Sequence, residues 1–363
     1  MAKRYVPCFL GVFVSIAVTS LLLQAEAPPP PAVYIFGDST LDVGTNDFIP
    51  GCLARADFYF NGIDFPHSKP TGRFSNGLNT ADQIAILLGL KKSPPPFLYL
   101  LNHPSKFKQS ILQGANFASG GSGILNSTGL QKRSISLEDQ IKQFSTVRSN
   151  ITHMTGSEEA TDNILSKAFF LISTGSNDIF EYLLNPTPPM SAPEFNDTLI
   201  STYEYHIKTL YELGARMFGI LTVPPIGCTP FARAVFTGNN SCFELAQDFA
   251  LDFSLDVAIL LENFSSQVQD IKYSLGNTFL MTSFFMGDML GFGLKNIAAA
   301  CCGNGTYDCN QTASFCSNRD EYLFWDRFHP SQRASELAAL TLFGASEPLV
   351  APINFSQLLG VDI

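Results

Sequence analysis

Short apolar runs that stop at glycine alternate along the chain with longer stretches whose apolar residues recur every three or four positions. The first run, Ala32 to Asp38, holds Val33, Tyr34, Ile35 and Phe36 before Gly37 and predicts a buried strand. Ala81–Leu90 has helical spacing and stops at Gly89. Gly114–Gly121 reads as a short strand that breaks into glycines. From Ser136 an amphipathic helix is expected, with the serine as its cap. Ala168–Asp178 repeats the pattern of the first strand. A helix from about Leu199 to Leu213, a stop at Gly214 and another apolar strand follow. A long amphipathic helix begins near Phe243, and Thr278–Phe285 is expected to form the last strand.

Strands alternating with helices imply right-handed crossovers, and so a parallel sheet with helices on both faces. In such sheets ligands bind beyond the carboxyl ends of the strands. Ser39, Gly121 and Asn177 all fall there. No repeat or linker divides the body, so residues 28–363 are expected to form one domain.

Composition narrows the setting. With 45% hydrophobic and 15% charged residues among 363, the chain can bury a sizeable core. A net charge of −10 without a basic run argues against a nucleic-acid partner. Lys3 and Arg4 precede an apolar stretch, Val6 to Leu23, and then Ala25-Glu26-Ala27, which is the pattern of a cleaved signal peptide over residues 1–27. An uncleaved anchor is the rival, but small residues and prolines follow directly; after cleavage no stable membrane span is expected. N-x-S/T sequons begin at Asn126, Asn150, Asn196, Asn239, Asn263, Asn304, Asn310 and Asn354, and they suit a glycosylated surface. Of the cysteines beyond the leader, four crowd between Cys301 and Cys316. Disulfides are expected there, ahead of a structural zinc, because the cluster has no histidine nearby. Cys52, Cys228, Cys242, Cys301, Cys302, Cys309 and Cys316 make an odd set, with Cys52 the candidate for the leftover thiol.

A hydroxyl at the end of a buried strand either caps the next helix or acts as a nucleophile, and a nucleophilic serine needs a histidine oriented by a carboxylate. Of five histidines, His67, His103 and His153 sit in polar or Pro-flanked stretches, and His206 falls on an apolar helical stripe, as a packed histidine would. His329 differs, because Asp326 precedes it by three residues and Pro330 follows it. Such a turn can place the carboxylate on one ring nitrogen and free the other. Gly121 can offer a backbone N–H and Asn177 a side-chain amide to an oxyanion. Taken singly, each is equally an ordinary turn or cap.

Seven ordered blocks change that. "FGDST", "PTGRFSNG" (Pro70–Gly77), "GANFASGGSGIL" (Gly114–Leu125), "STGSND" (Ser173–Asp178), "LYELGARMFGILTVPPIGCTP" (Leu210–Pro230), "CCGNG" and "FWDRFHPS" together resemble the plant GDSL esterase/lipase family of SGNH hydrolases. The resemblance implies a three-layer α/β/α sandwich, flavodoxin-like, around a central parallel five-stranded sheet. It implies Ser39 as nucleophile with Asp326 and His329, and an oxyanion hole of Ser39, Gly121 and Asn177. It implies no metal or organic cofactor, and a small-molecule or polymeric ester as substrate. Thr40 stands where the family's name-giving motif has leucine, and Cys52 stands where members usually have no cysteine. The G-x-S-x-G elbow is absent, since Leu41 lies two after Ser39. The expectation is a secreted serine esterase of the apoplast or cell wall. The alternatives are an extracellular acyltransferase with the same triad and a catalytically silent lipid- or carbohydrate-binding relative.

Overall fold

The computed structural model describes residues 30–361, so the expected signal segment lies outside the described residues. Eight strands appear in chain order: β1 Val33–Gly37, β2 Gly114–Asn116, β3 Phe169–Ser173, β4 Met217–Leu221, β5 Lys272–Gly276, β6 Asn296–Ala300, β7 Tyr322–Phe324 and β8 Val350–Ala351. The central sheet has the order β2-β1-β3-β4-β5-β8. The first five are parallel, and β8 joins β5 antiparallel over two residues. The sheet therefore has six strands rather than five, with the flavodoxin-like order 2-1-3-4-5 in its parallel part.

Among the helices that flank it are α1 Thr80–Leu87, α2 Leu137–Thr155, α3 Ser176–Leu184, α4 Ala192–Glu212, α5 Glu244–Gln267, α6 Thr278–Gly287 and α7 Gln332–Gly344. Successive strand residues face opposite sides, and the two faces have separate cores. Tyr34 and Phe36 of β1 and Phe170 and Ile172 of β3 pack with α2, α4 and α5. Val33, Ile35, Phe169 and Leu171 pack on the other side with α1, α6 and α7. Phe144 of α2 meets Tyr34, Phe36, Phe117 and Phe170 at ring separations of 5.0–6.1 Å. All four contacts are edge-to-face, an arrangement that the ring quadrupole favours.

Two expectations need correction. Thr278–Phe285 is helical, and the fifth strand is the preceding Lys272–Gly276. Asn277 decides the matter: its side chain accepts from the Leu280 N–H and starts the helix. Helix α4 begins at Ala192, well before Leu199, because Ser191 and Glu194 form a reciprocal capping box with a proline in the first turn. Among the described residues no helix is long and apolar enough to cross a membrane.

Three disulfides form: Cys228–Cys242, Cys301–Cys316 and Cys302–Cys309. Cys52 is free and buried. Five sequon asparagines lie exposed, namely Asn126, Asn239, Asn263, Asn304 and Asn310. Asn150, Asn196 and Asn354 are half-buried, and their side-chain amides donate to Thr146, Asp256 and Ala345.

Candidate active site

The site forms where β1, β2 and β3 end. Gly37 closes β1 at φ +133°, and a Cβ there would come within 1.9 Å of the Ser173 carbonyl oxygen of β3. Only glycine fits both the angle and the approach. Asp38 N–H then donates to that same carbonyl, at 3.1 Å, and the chain turns so that half-buried Ser39 faces a cavity.

Gln140 of α2, fully buried, fixes this turn. Its Oε1 accepts from Gly37 N–H at 2.8 Å, and its Nε2 donates to Gly37 C=O at 2.9 Å. The same Nε2 reaches Ser122 Oγ in the loop after β2, at 3.2 Å. Asp42 ties the two loops again, accepting from the N–H groups of Gly44, Thr45 and Gly120. Asn46 adds bonds to Gly120 C=O and from Ser119 Oγ. Sequence inspection missed Gln140, Asp42 and Asn46. Gln140 and Asp42 are polar residues between or beside apolar ones, and Asn46, in the polar run Thr45-Asn46-Asp47, left no signal.

The second half of the site comes from near the far end of the chain. His329 Nε2 lies 2.8 Å from Ser39 Oγ across 290 positions of sequence. His329 Nδ1 lies 2.7–2.8 Å from both oxygens of Asp326. Asp326 Oδ1 also accepts from the backbone N–H groups of Phe328 and His329, which sets the three-residue turn. Burial would raise the Asp326 carboxyl, but the His329 charge and these hydrogen bonds hold it below the usual carboxylate range. Phe74 lies against the imidazole, with centroids 4.8 Å apart.

Two clamps hold this block. Trp325 N–H donates to His329 C=O, and Trp325 Nε1 donates to Asn61 Oδ1. Cys301 and Cys302 N–H groups donate to the carbonyls of Phe324 and Trp325, so two disulfides brace the segment that leads into Asp326.

Gly121 and Asn177 line the same cavity as Ser39 and His329. Neither Ser39 N–H nor Gly121 N–H has an acceptor among the described residues. Gly121 has φ +82°, and a Cβ would press on Ser134 Oγ and Lys132 Cδ. Asn177, in the first turn of α3, donates from Nδ2 to Ser122 C=O at 3.0 Å. Its neighbour Asp178 is buried and accepts from Ile124 N–H, Leu125 N–H and Thr128 Oγ1, which pins α3 to the loop after β2. The remaining histidines stay outside the constellation. His206 is buried with Nε2 3.1 Å from Ile124 C=O, and burial pushes its pKa down. His103 stacks on Tyr99, and His67 and His153 belong to a surface loop and to the last turn of α2. Among the described residues no cluster could hold a metal ion.

This arrangement supplies a hydroxyl bonded to an imidazole, a carboxylate behind the imidazole, and Gly121 and Asn177 on the wall of the same cavity. These are the parts that acyl transfer from an ester requires.

Comparison with known proteins agrees. Residues 33–342 match the family model described as GDSL-like Lipase/Acylhydrolase. Among curated proteins, GDSL esterase/lipase At4g16230 of Arabidopsis thaliana is 34% identical over 346 residues, covering 92% of each chain. GDSL esterase/lipase LTL1 of the same plant is 34% identical over 365 residues and covers 97% of each. GDSL esterase/lipase At4g28780 is 33% identical over 360 residues, covering 96% of each.

Proposed function

The chain belongs to the GDSL-like lipase/acylhydrolase family, and from that premise we propose that it is a secreted serine esterase working through Ser39, His329 and Asp326. Its chemistry is hydrolysis of carboxylic esters, as the names of its relatives imply. The observation that carries the residue roles is the unbroken chain of contacts from Asp326 through His329 to Ser39 at the cavity wall.

His329 Nε2 removes the Ser39 proton as Oγ attacks the ester carbonyl. Asp326 accepts a hydrogen bond from Nδ1–H, which fixes the tautomer and stabilises the imidazolium. The N–H groups of Ser39 and Gly121 and the Asn177 amide receive the oxyanion, and each donor contributes about 3 kcal/mol to the transition state. The leaving alkoxide takes the proton from His329, and an acyl-serine remains. Water, deprotonated by the same imidazole, releases the acid.

Secretion is supported by the leader-like residues 1–27, the exposed sequons and the three disulfides, since such bonds persist in oxidising compartments. Turnover of a short-chain nitrophenyl ester by wild type and Ser39→Ala tests the core of the proposal. Loss of roughly 10³-fold or more in kcat is expected; a variant as fast as wild type overturns it. Protein recovered from the medium should start after residue 27 and carry glycans at the five exposed sequons. An unglycosylated chain kept in the cytosol contradicts the secretory assignment.

A further inference from the structure

The cavity, about 450 Å³, has two unlike ends. At its exposed side the wall carries the charged side chains of Arg55, Lys132, Glu181, Asp308 and Arg327 beside the exposed apolar Leu53 and Leu184. Inward it runs between two helices. Helix α6 turns Thr278, Thr282 and Phe285 to the cavity, and α7 turns Ala334, Ala338 and Leu342 to it. Both sets have the spacing of a single helical face. The short side chains at Thr282, Ala334 and Ala338 leave the gap between the helices unfilled, although fully buried Leu342 lies at its wall. Ser335, at 1% exposure, lines the same cavity.

We propose that the inner arm between α6 and α7 binds the acyl chain of the substrate, a long linear acyl group, while the alcohol faces the charged mouth. The proposal rests on the esterase reading above and names its substrate class. The order of events sets the orientation. Attack by Ser39 Oγ forms the acyl C–O bond to serine and breaks the ester C–O bond, and the alcohol leaves with the proton from His329. The acyl group stays tethered until water cleaves the new bond. An apolar arm leading inward suits the group that stays, because it keeps that group out of water. An open, charged mouth suits the group that must leave first and admits the water that replaces it.

Nitrophenyl esters of graded acyl length provide the test. Wild-type kcat/KM should rise from acetate to dodecanoate by roughly tenfold or more, because each methylene buried in the arm adds binding that an acetyl group cannot make. Ala338→Phe fills the arm and should lower the dodecanoate value by roughly tenfold, with the acetate value changed less than about twofold. Thr282→Phe does the same from the opposite wall and covers the case in which Ala338→Phe fails to fold. Calorimetry with sodium dodecanoate on Ser39→Ala should show binding that vanishes when Ala338→Phe is added. An unchanged ratio of long to short esters in both folded filled-arm variants overturns the proposal. So does a length preference that follows the alcohol instead of the acid. If wild type hydrolyses no ester, the esterase reading fails, and dodecanoate binding then decides the arm by itself.

Discussion

At the scale of single residues, the account turns on how few contacts hold the nucleophile. Ser39 owes its position to Gly37, and Gly37 owes its position to Gln140, which takes both of its backbone polar groups. Gln140→Ala would leave the buried Gly37 N–H without its acceptor, a cost of about 1–3 kcal/mol, while the Gly37 C=O keeps the Ser119 N–H and the Ser122 hydroxyl. It should also lower kcat roughly tenfold with KM within about twofold, because a small displacement of a nucleophile spoils the attack geometry while the binding walls remain. Equal losses in kcat and KM on steady-state assay would mean Gln140 is only a packing residue. Asp326→Asn should cut kcat by on the order of 10³–10⁴, since an amide can hold the imidazole in the wrong tautomer; a loss under about tenfold would remove Asp326 from the triad. Ser39, His329 and Asp326 were legible as candidates only through the family-like blocks that hold them, since each taken singly reads as an ordinary turn or cap. Gln140 was not legible, because its role exists only once α2 lies against the end of β1.

At the scale of elements, most of the alternation was readable and the failures have local causes. Lys272–Gly276 has an exposed lysine and a serine in a five-residue strand, so its apolar signal is weaker than that of the Thr278–Phe285 segment beside it. Capping chemistry at Asn277 outweighs that apolar run. Two-residue β8 is too short to leave a pattern at all. The β7 element shows how local structure serves the site, since the disulfides of adjacent Cys301 and Cys302 secure a strand of only three residues. Removing the fifteen-residue loop closure with Cys301→Ala plus Cys316→Ala should cost about 3 kcal/mol on chemical denaturation. An unchanged midpoint would mean the hydrogen bonds of Trp325 suffice alone. Truncating Phe144, whose ring meets four others across α2 and the sheet, should cost about 3–5 kcal/mol.

At the scale of the whole molecule, buried carboxylates set the response to pH. Burial pushes Asp47 up to about 7, with the neighbouring charges of Asp57 and Asp42 adding to the effect. Burial likewise pushes Asp42 and Asp178 up to about 6. Each holds a proton in the folded chain at a pH where the unfolded chain has released it, so folding takes up protons above about pH 4. Stability should therefore fall as pH rises from about 5 to 8. Asp326 has the opposite sign, and its contribution is lost only as pH falls below the ordinary carboxylate range. A melting temperature that climbs between pH 5 and 8 would contradict this balance. The fold as a whole exists to bring Ser39 and His329 together from opposite ends of the chain, at the strand ends where a 2-1-3-4-5 sheet opens its crevice. The most direct test of that claim is labelling with a fluorophosphonate, followed by peptide mass spectrometry. A single adduct on Ser39, much slower to form in His329→Gln, is the expected result. An adduct on another residue, or none in a preparation that hydrolyses esters, would contradict the account.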